Sequence, residues 1–230
     1  MEQPIFHSMP SVFVMEHNVP EEMVTNLNTY LDAYLKKKKR KSLAHTLVGQ
    51  IQKGQQLLMD HEDKKVEEFS NMLCSLGAHY INEFARATGV RYKNNKTVAI
   101  DELWSVHSFE RDYNPIHSHG TKTMMGISCT TWTKVPKQIL DLPTAGTSEY
   151  SLYNASGHSD GCLAFNYGQG HVTDIEILKP APSFVLRPQV GKLYLFPSWL
   201  QHMVYPFQGK GERRTVAANL NCWDIVEEAA

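Results

Sequence analysis

The sequence predicts a mainly β protein that carries its helices at the N-terminal end. Three observations predict it. Apolar residues recur at helical spacing before residue 90, and after Gly89 the period falls to two. The second part then holds several short apolar runs, broken by proline and glycine, with no helix between them. Short strands spaced in this way form an antiparallel sandwich or barrel.

The elements follow in order. Asn18-Val19-Pro20-Glu21-Glu22 reads as a helix start, with a polar cap, an early proline and acids in the first turn. Met23, Val24, Leu27, Tyr30, Leu31, Tyr34 and Leu35 continue it. A weaker helical stretch is expected over Leu43, Leu47, Val48, Ile51 and Leu58. A strong one runs from Val66 through Phe69, Leu73, Tyr80 and Phe84, and ends at Gly89, where a left-handed cap is wanted. Next, Val98, Ile100, Trp104 and Val106 share one parity of an extended segment. Strands are expected over 124–133, 161–167, 183–186, 192–196 and 215–222. Residues 1–90 are thus expected to form a helical layer and residues 91–230 a β core, together one compact unit. The stretch from Lys134 to Asp160 is rich in Pro, Thr, Ser and Gly and reads as a binding loop or lid.

Composition narrows the function. The chain has 230 residues, 42% of them hydrophobic and 20% charged, enough apolar mass for a core. No apolar run approaches a membrane span of ~20 residues, and the start lacks a secretory pattern, so a cytoplasmic protein is expected. A net charge of −1 disfavours nucleic acid as a partner. Lys36-Lys37-Lys38-Lys39-Arg40-Lys41 matches a nucleic-acid or nuclear-localisation pattern, but a solvated helix C-terminus is the simpler reading. The cysteines, Cys74, Cys129, Cys162 and Cys222, form no CxxC pair and read as reduced core residues. Asn154-Ala155-Ser156 is a glycosylation sequon that stays silent in that compartment.

Histidine spacing carries the chemistry. In Asn114-Pro115-Ile116-His117-Ser118-His119-Gly120 two histidines stand two apart, and in extended backbone such residues point the same way. Far downstream, Phe196-Pro197-Ser198-Trp199-Leu200-Gln201-His202 places a third histidine at the end of a β-like run. Three imidazoles form a facial set suited to iron, copper, zinc or nickel, with positions left open. Arg213 and Thr215 then share a strand face, and a guanidinium beside a hydroxyl can seat a carboxylate. His107, His158 and His171 lack an i+2 partner. Trp104 and Trp199 read as packing residues.

This ordered set of His117-x-His119, His202 and Arg213-x-Thr215 resembles the Fe(II)/2-oxoglutarate-dependent dioxygenases. More closely, it is similar to a bacterial and viral 2-oxoglutarate/Fe(II) oxygenase family related to prolyl hydroxylases. Trp104, Gly161-Cys162-Leu163-Ala164-Phe165, Gly191 to His202, and Arg213 to Asn219 also carry the likeness, which covers the C-terminal ~130 residues. It implies a double-stranded β-helix (jelly roll, cupin-like) supported by about three α-helices. It also implies Fe(II), 2-oxoglutarate as cosubstrate and O2, with a substrate hydroxylated as succinate and CO2 leave. Iron would sit on His117 and His202, and the far carboxylate of 2-oxoglutarate on Arg213 and Thr215, with Tyr194 and Asn219 lining the cosubstrate pocket. The broad superfamily has an acid where this chain has His119. Either His119 completes a three-histidine site, or Asp112 or Asp160 supplies the carboxylate. Arg214 is the alternative to Arg213 if a bulge swaps which of them shares the face of Thr215.

The sequence does not identify the substrate: a small molecule or a peptide is expected, with a proline side chain among the options, and a homo-oligomer is compatible with the sequence. Two other functions fit the same residues. One is a cupin-type metalloenzyme without 2-oxoglutarate, although the glutamate usual after its HxH is missing. The other is a non-catalytic jelly-roll binding module.

Overall fold

The computed structural model describes residues 12–47, 49, 51, 54–123, 125–142, 159–167 and 183–225. Two antiparallel sheets face each other. In chain order their strands are β1 (Met15–Asn18), β2 (Gln55–Leu58), β3 (Lys96–Ser108), β4 (Asn114–His117), β5 (Ile127–Lys134), β6 (Leu163–Asn166), β7 (Ser183–Leu186), β8 (Lys192–Pro197), β9 (Gln201–Val204) and β10 (Arg213–Asp224). The major sheet runs β1-β8-β5-β10-β3-β2 and the minor sheet β4-β9-β6-β7. This is the double-stranded β-helix arrangement, mainly β with three α-helices among the described residues.

Helices α1 (Glu21–Leu35) and α2 (Glu67–Thr88) cover the outer face of the major sheet. Their apolar stripes meet the sheet through Leu27, Leu31, Phe69 and Leu73, which bury against Ile127, Leu193, Leu195, Val216 and Leu220. Helix α2 ends as expected, with Gly89 in the left-handed conformation at φ 73° and its N–H on Ala85. Helix α1 starts later than expected. Asn18 is the last residue of β1, and Pro20 takes the flanking position without a side-chain cap. The third helix, α3 (Lys137–Leu140), is a single turn. None of the described helices is long and apolar enough to cross a membrane.

The described residues of the stretch from Leu43 to Leu58 do not form the weak helix expected there. That segment holds a 3-10 turn at Ala44–Thr46 and then β2, which pairs with β3. Helical spacing lost to backbone pairing here: Leu43 N–H bonds Gln56 and Leu58 N–H bonds Lys41. Gly54 marks the close approach, since any Cβ there would collide with the His107 carbonyl oxygen.

A second correction concerns β3. Asn219 pairs with Glu102 and Leu220 with Ile100, so Asp101 is an extra residue on β3. The faces exchange at that point. Val98 and Ile100 pack against the helices, whereas Trp104 and Val106 face the space between the sheets. Their shared parity is not a shared face.

Candidate active site

A cavity of about 310 Å³ opens between the sheets. Its floor is the inner face of β10, where period-two alternation presents Arg213, Thr215, Ala217 and Asn219 in turn. The even residues beside them, Val216, Ala218 and Leu220, go to the helical core. Leu163, Phe196 and Trp132 make an apolar wall.

His117, His119 and His202 converge in this cavity, with ligand atoms within 4.8 Å of one another. Two strands of the minor sheet bring the first and last together, because His117 on β4 stands opposite His202 on β9. His119 follows just beyond the end of β4, fixed by its N–H to the Ser198 carbonyl at 2.9 Å. The ring centroids of His117 and His202 are 4.2 Å apart.

Each ring is oriented by its other nitrogen. His117 Nδ1 donates to the Pro115 carbonyl at 2.7 Å and His202 Nδ1 to the Leu200 carbonyl at 3.0 Å. His119 Nδ1 donates to Asn219 Oδ1 at 2.8 Å, and Ser128 Oγ donates to the same oxygen at 2.8 Å. All three therefore leave Nε2 as the lone pair. Burial keeps them neutral: it lowers the pKa of His117, takes that of His119 down to about 4 and that of His202 down to about 3. A set of neutral imidazoles with free Nε2 atoms fits a divalent first-row metal. One contact competes, since Asn114 Nδ2 lies 3.2 Å from His117 Nε2.

Arg213 is 3% exposed and lines the cavity beyond the histidines. Its Nη1 donates to the carbonyls of Gly161 at 2.9 Å and Tyr205 at 3.1 Å, and its guanidinium lies over the Phe207 ring. Those contacts fix the plane of the fork, and burial lowers its pKa to about 10. Arg214 points the other way. It forms a two-pronged pair with Glu212 at 2.8 and 2.9 Å, bonds Asn28 Oδ1 and pairs with Asp32 on α1.

The remaining expected residues divide. Thr215 and Asn219 line the cavity. Tyr194 does not: its hydroxyl donates to Glu16 on β1 at 2.9 Å, and its ring packs edge-on against Trp132. Neither Asp112 nor Asp160 joins the three histidines. Asp112 accepts the Phe109 N–H, and Asp160 accepts a backbone hydrogen bond from Gln208. His107 is buried in a separate chain, with Nδ1 2.6 Å from Glu212 and Nε2 3.0 Å from Ser105. His158, His171, the sequon and positions 143–158 of the expected loop lie outside the described residues. The sequence reading missed Ser128, whose role depends on its register opposite Asn219. It missed Asn114 too, although that residue opens the HxH block.

The 2OG-Fe(II) oxygenase family model matches residues 102–219, just over half of the chain. The chain belongs to this family. Its members are 2-oxoglutarate-dependent oxygenases that use Fe(II), 2-oxoglutarate and O2, and this chain is such an enzyme. The matched region holds all three histidines and Arg213. Among solved structures it is similar to a prolyl-4-hydroxylase of Pseudomonas putida, at TM-score 0.57 and 12% identity over 91% of this chain and 92% of that one. AviO1 of Streptomyces viridochromogenes gives 0.54 and 9%, over 90% and 88%. A prolyl hydroxylase of Trichoplax adhaerens, solved with a hypoxia-inducible-factor peptide, gives 0.52 and 14%, over 93% and 83%. At such identities the likeness is one of fold. The comparison with curated proteins finds no match.

Proposed function

We propose that the chain hydroxylates a C–H bond of a peptide side chain or small molecule, with Fe(II) on His117, His119 and His202 and 2-oxoglutarate anchored on Arg213. One observation carries this reading: three metal-ready imidazoles and one buried guanidinium line the same cavity. An oxoacid bound in this cavity would be held by the histidine-bound metal at its keto acid end and by Arg213 at its far carboxylate.

Each residue then has a task. His117, His119 and His202 supply neutral nitrogens, so the site carries one less negative charge than a set containing a carboxylate. Arg213 gives charge-assisted hydrogen bonds to the cosubstrate, and Thr215 offers a hydroxyl beside it. Asn219 and Ser128 hold the His119 ring. The wall of Trp132, Leu163 and Phe196 excludes water from the reacting centre. With its cosubstrates bound, the iron supplies oxidative decarboxylation and transfer of one oxygen atom, giving succinate, CO2 and an alcohol.

Proline is the leading candidate side chain, because two relatives of the same fold are prolyl hydroxylases. A cytoplasmic setting goes with this reading and with four unpaired cysteines. The test is succinate release in air from Fe(II)-loaded protein and 2-oxoglutarate. We expect release above the free-iron background, and release that needs far more 2-oxoglutarate in Arg213→Ala. Release no greater than that background, with candidate peptides and small molecules alike, would overturn the reading.

A further inference from the structure

The basic run Lys36 to Lys41 is not the end of a helix. Helix α1 stops at Leu35, and only the Lys36 and Lys37 N–H groups close its last turn. The macrodipole therefore accounts for the start of the run and not for the rest. From Lys38 the chain crosses to the open edge of the major sheet and is built onto it. Ser42 bridges Leu57 of β2, and Lys41 N–H bonds the Tyr34 hydroxyl at 2.8 Å. Arg40 locks the connector, donating to Leu35 and Lys37 carbonyls and, through Nε, to Gln55 at 3.0 Å.

This connector rims two hollows. Leu43 turns into the catalytic cavity against Trp104. Its neighbours Ser42 and Ala44 line a second hollow of about 260 Å³ with Lys38 and Arg40, and Gln56 lines both. Among the described residues, Lys36, Lys37, Lys38, Lys39 and Lys41 form no ion pair with any carboxylate. Five like charges within six consecutive residues repel one another, and on a chain of net charge −1 they form a local patch rather than a general field.

We propose that this patch docks an acidic, extended peptide segment and so delivers a neighbouring uncharged residue of the same peptide to the catalytic cavity. The inference rests on the function proposed above and names its substrate class. Peptide fits better than nucleic acid, because the charge ends where the cavity begins. Arg213 is the only lysine or arginine among the described lining residues, and Glu102 lines the cavity as well. A chain with a phosphate on every unit would meet that carboxylate unneutralised, whereas a peptide can carry its acids to one side of the delivered residue.

The test uses the full chain and fluorescence anisotropy. The probe is a fluorescein-labelled peptide with an oligoglutamate arm and a neutral Gly-Pro-Ala arm. We expect binding at low salt that weakens as salt rises. Lys38→Glu/Lys39→Glu/Lys41→Glu should weaken it about tenfold or more. Lys64→Glu/Lys65→Glu, a reversal at the start of α2, should leave it unchanged. No binding to the parent protein, equal losses in both variants, or tighter binding of a single-stranded oligonucleotide of equal charge would overturn the proposal. The anaerobic absorption of Fe(II) with 2-oxoglutarate is read on the same proteins. If that band persists while docking fails, the docking proposal falls and the proposed chemistry stands.

Discussion

Each of the three imidazoles gives its Nδ1 proton to an oxygen of the protein, and that leaves Nε2 for a metal. The rings are unequal in how they are held. His117 and His202 rely on backbone carbonyls close in sequence, which no substitution removes. His119 relies on Asn219 and Ser128, one hundred and nine residues away respectively. Asn219→Ala should therefore loosen His119 and weaken Fe(II) affinity roughly 10- to 100-fold, measured by anaerobic titration, whereas His202→Ala should abolish stoichiometric binding. Arg213→Ala should raise the 2-oxoglutarate Kd roughly 10- to 100-fold, the equivalent of a charged hydrogen-bond pair of about 1.5–3 kcal/mol. Fe(II) affinity in that variant should be unchanged. Equal losses for both ligands would mean that Arg213 acts on folding and not on the cosubstrate.

At the scale of elements, β10 links everything. Its odd residues from Arg213 to Asn219 furnish the cavity, Val216, Ala218, Leu220 and Cys222 join the helical core, and Arg214 ties its start to α1 through Asn28 and Asp32. Burial raises the Glu212 pKa, but hydrogen bonds from His107 and Arg214 outweigh it and bring the pKa down to about 2. That pair should hold across ordinary pH. Truncating the core beneath β10 should act through packing alone: Leu73→Ala is expected to cost about 2–5 kcal/mol in chemical denaturation. The edge is subject to a different constraint. Gly54→Ala forces β2 away from β3 and should lower stability by about 1–3 kcal/mol, since the bulk of one methyl falls on backbone.

The same scale explains what was legible in the sequence. Arg213 and Thr215 stand two apart where β10 pairs with β3 without a register shift, so parity alone put them on one face. His117 and His119 could be read likewise. Parity failed on β3, where the bulge at Asp101 swaps the faces, because an unpaired residue leaves no mark in an apolar pattern. Leu43, Leu47, Ile51 and Leu58 mimic a helix, but Leu58 belongs to β2, whose pairing with β3 depends on partners 46 to 52 residues away. Tyr194 has the right parity but sits on β8, beside the edge strand β1, where Glu16 takes its hydroxyl. Ser128 acquires its role only through register.

For the whole molecule, the buried histidines make stability depend on pH. Their folded pKa values lie below the ordinary 6.5, so the unfolded chain binds more protons as pH falls through that value. The metal-free protein should lose stability progressively from pH 7 towards pH 4, seen as a falling Tm. His202→Gln should show a shallower decline over the same window. Glu212 adds nothing there, since its contribution fades only below about pH 4.5. A Tm independent of pH between 7 and 5 would mean that the rings are solvated when no metal is bound.

The most direct measurement is anaerobic: Fe(II) and then 2-oxoglutarate are added to the protein, and visible absorption is recorded. A weak charge-transfer band should grow to saturation in the parent protein. It should be absent in His202→Ala and should require far more 2-oxoglutarate in Arg213→Ala. A parent protein that binds Fe(II) without developing that band, or a band indifferent to Arg213, would contradict a single cavity holding both metal and oxoacid.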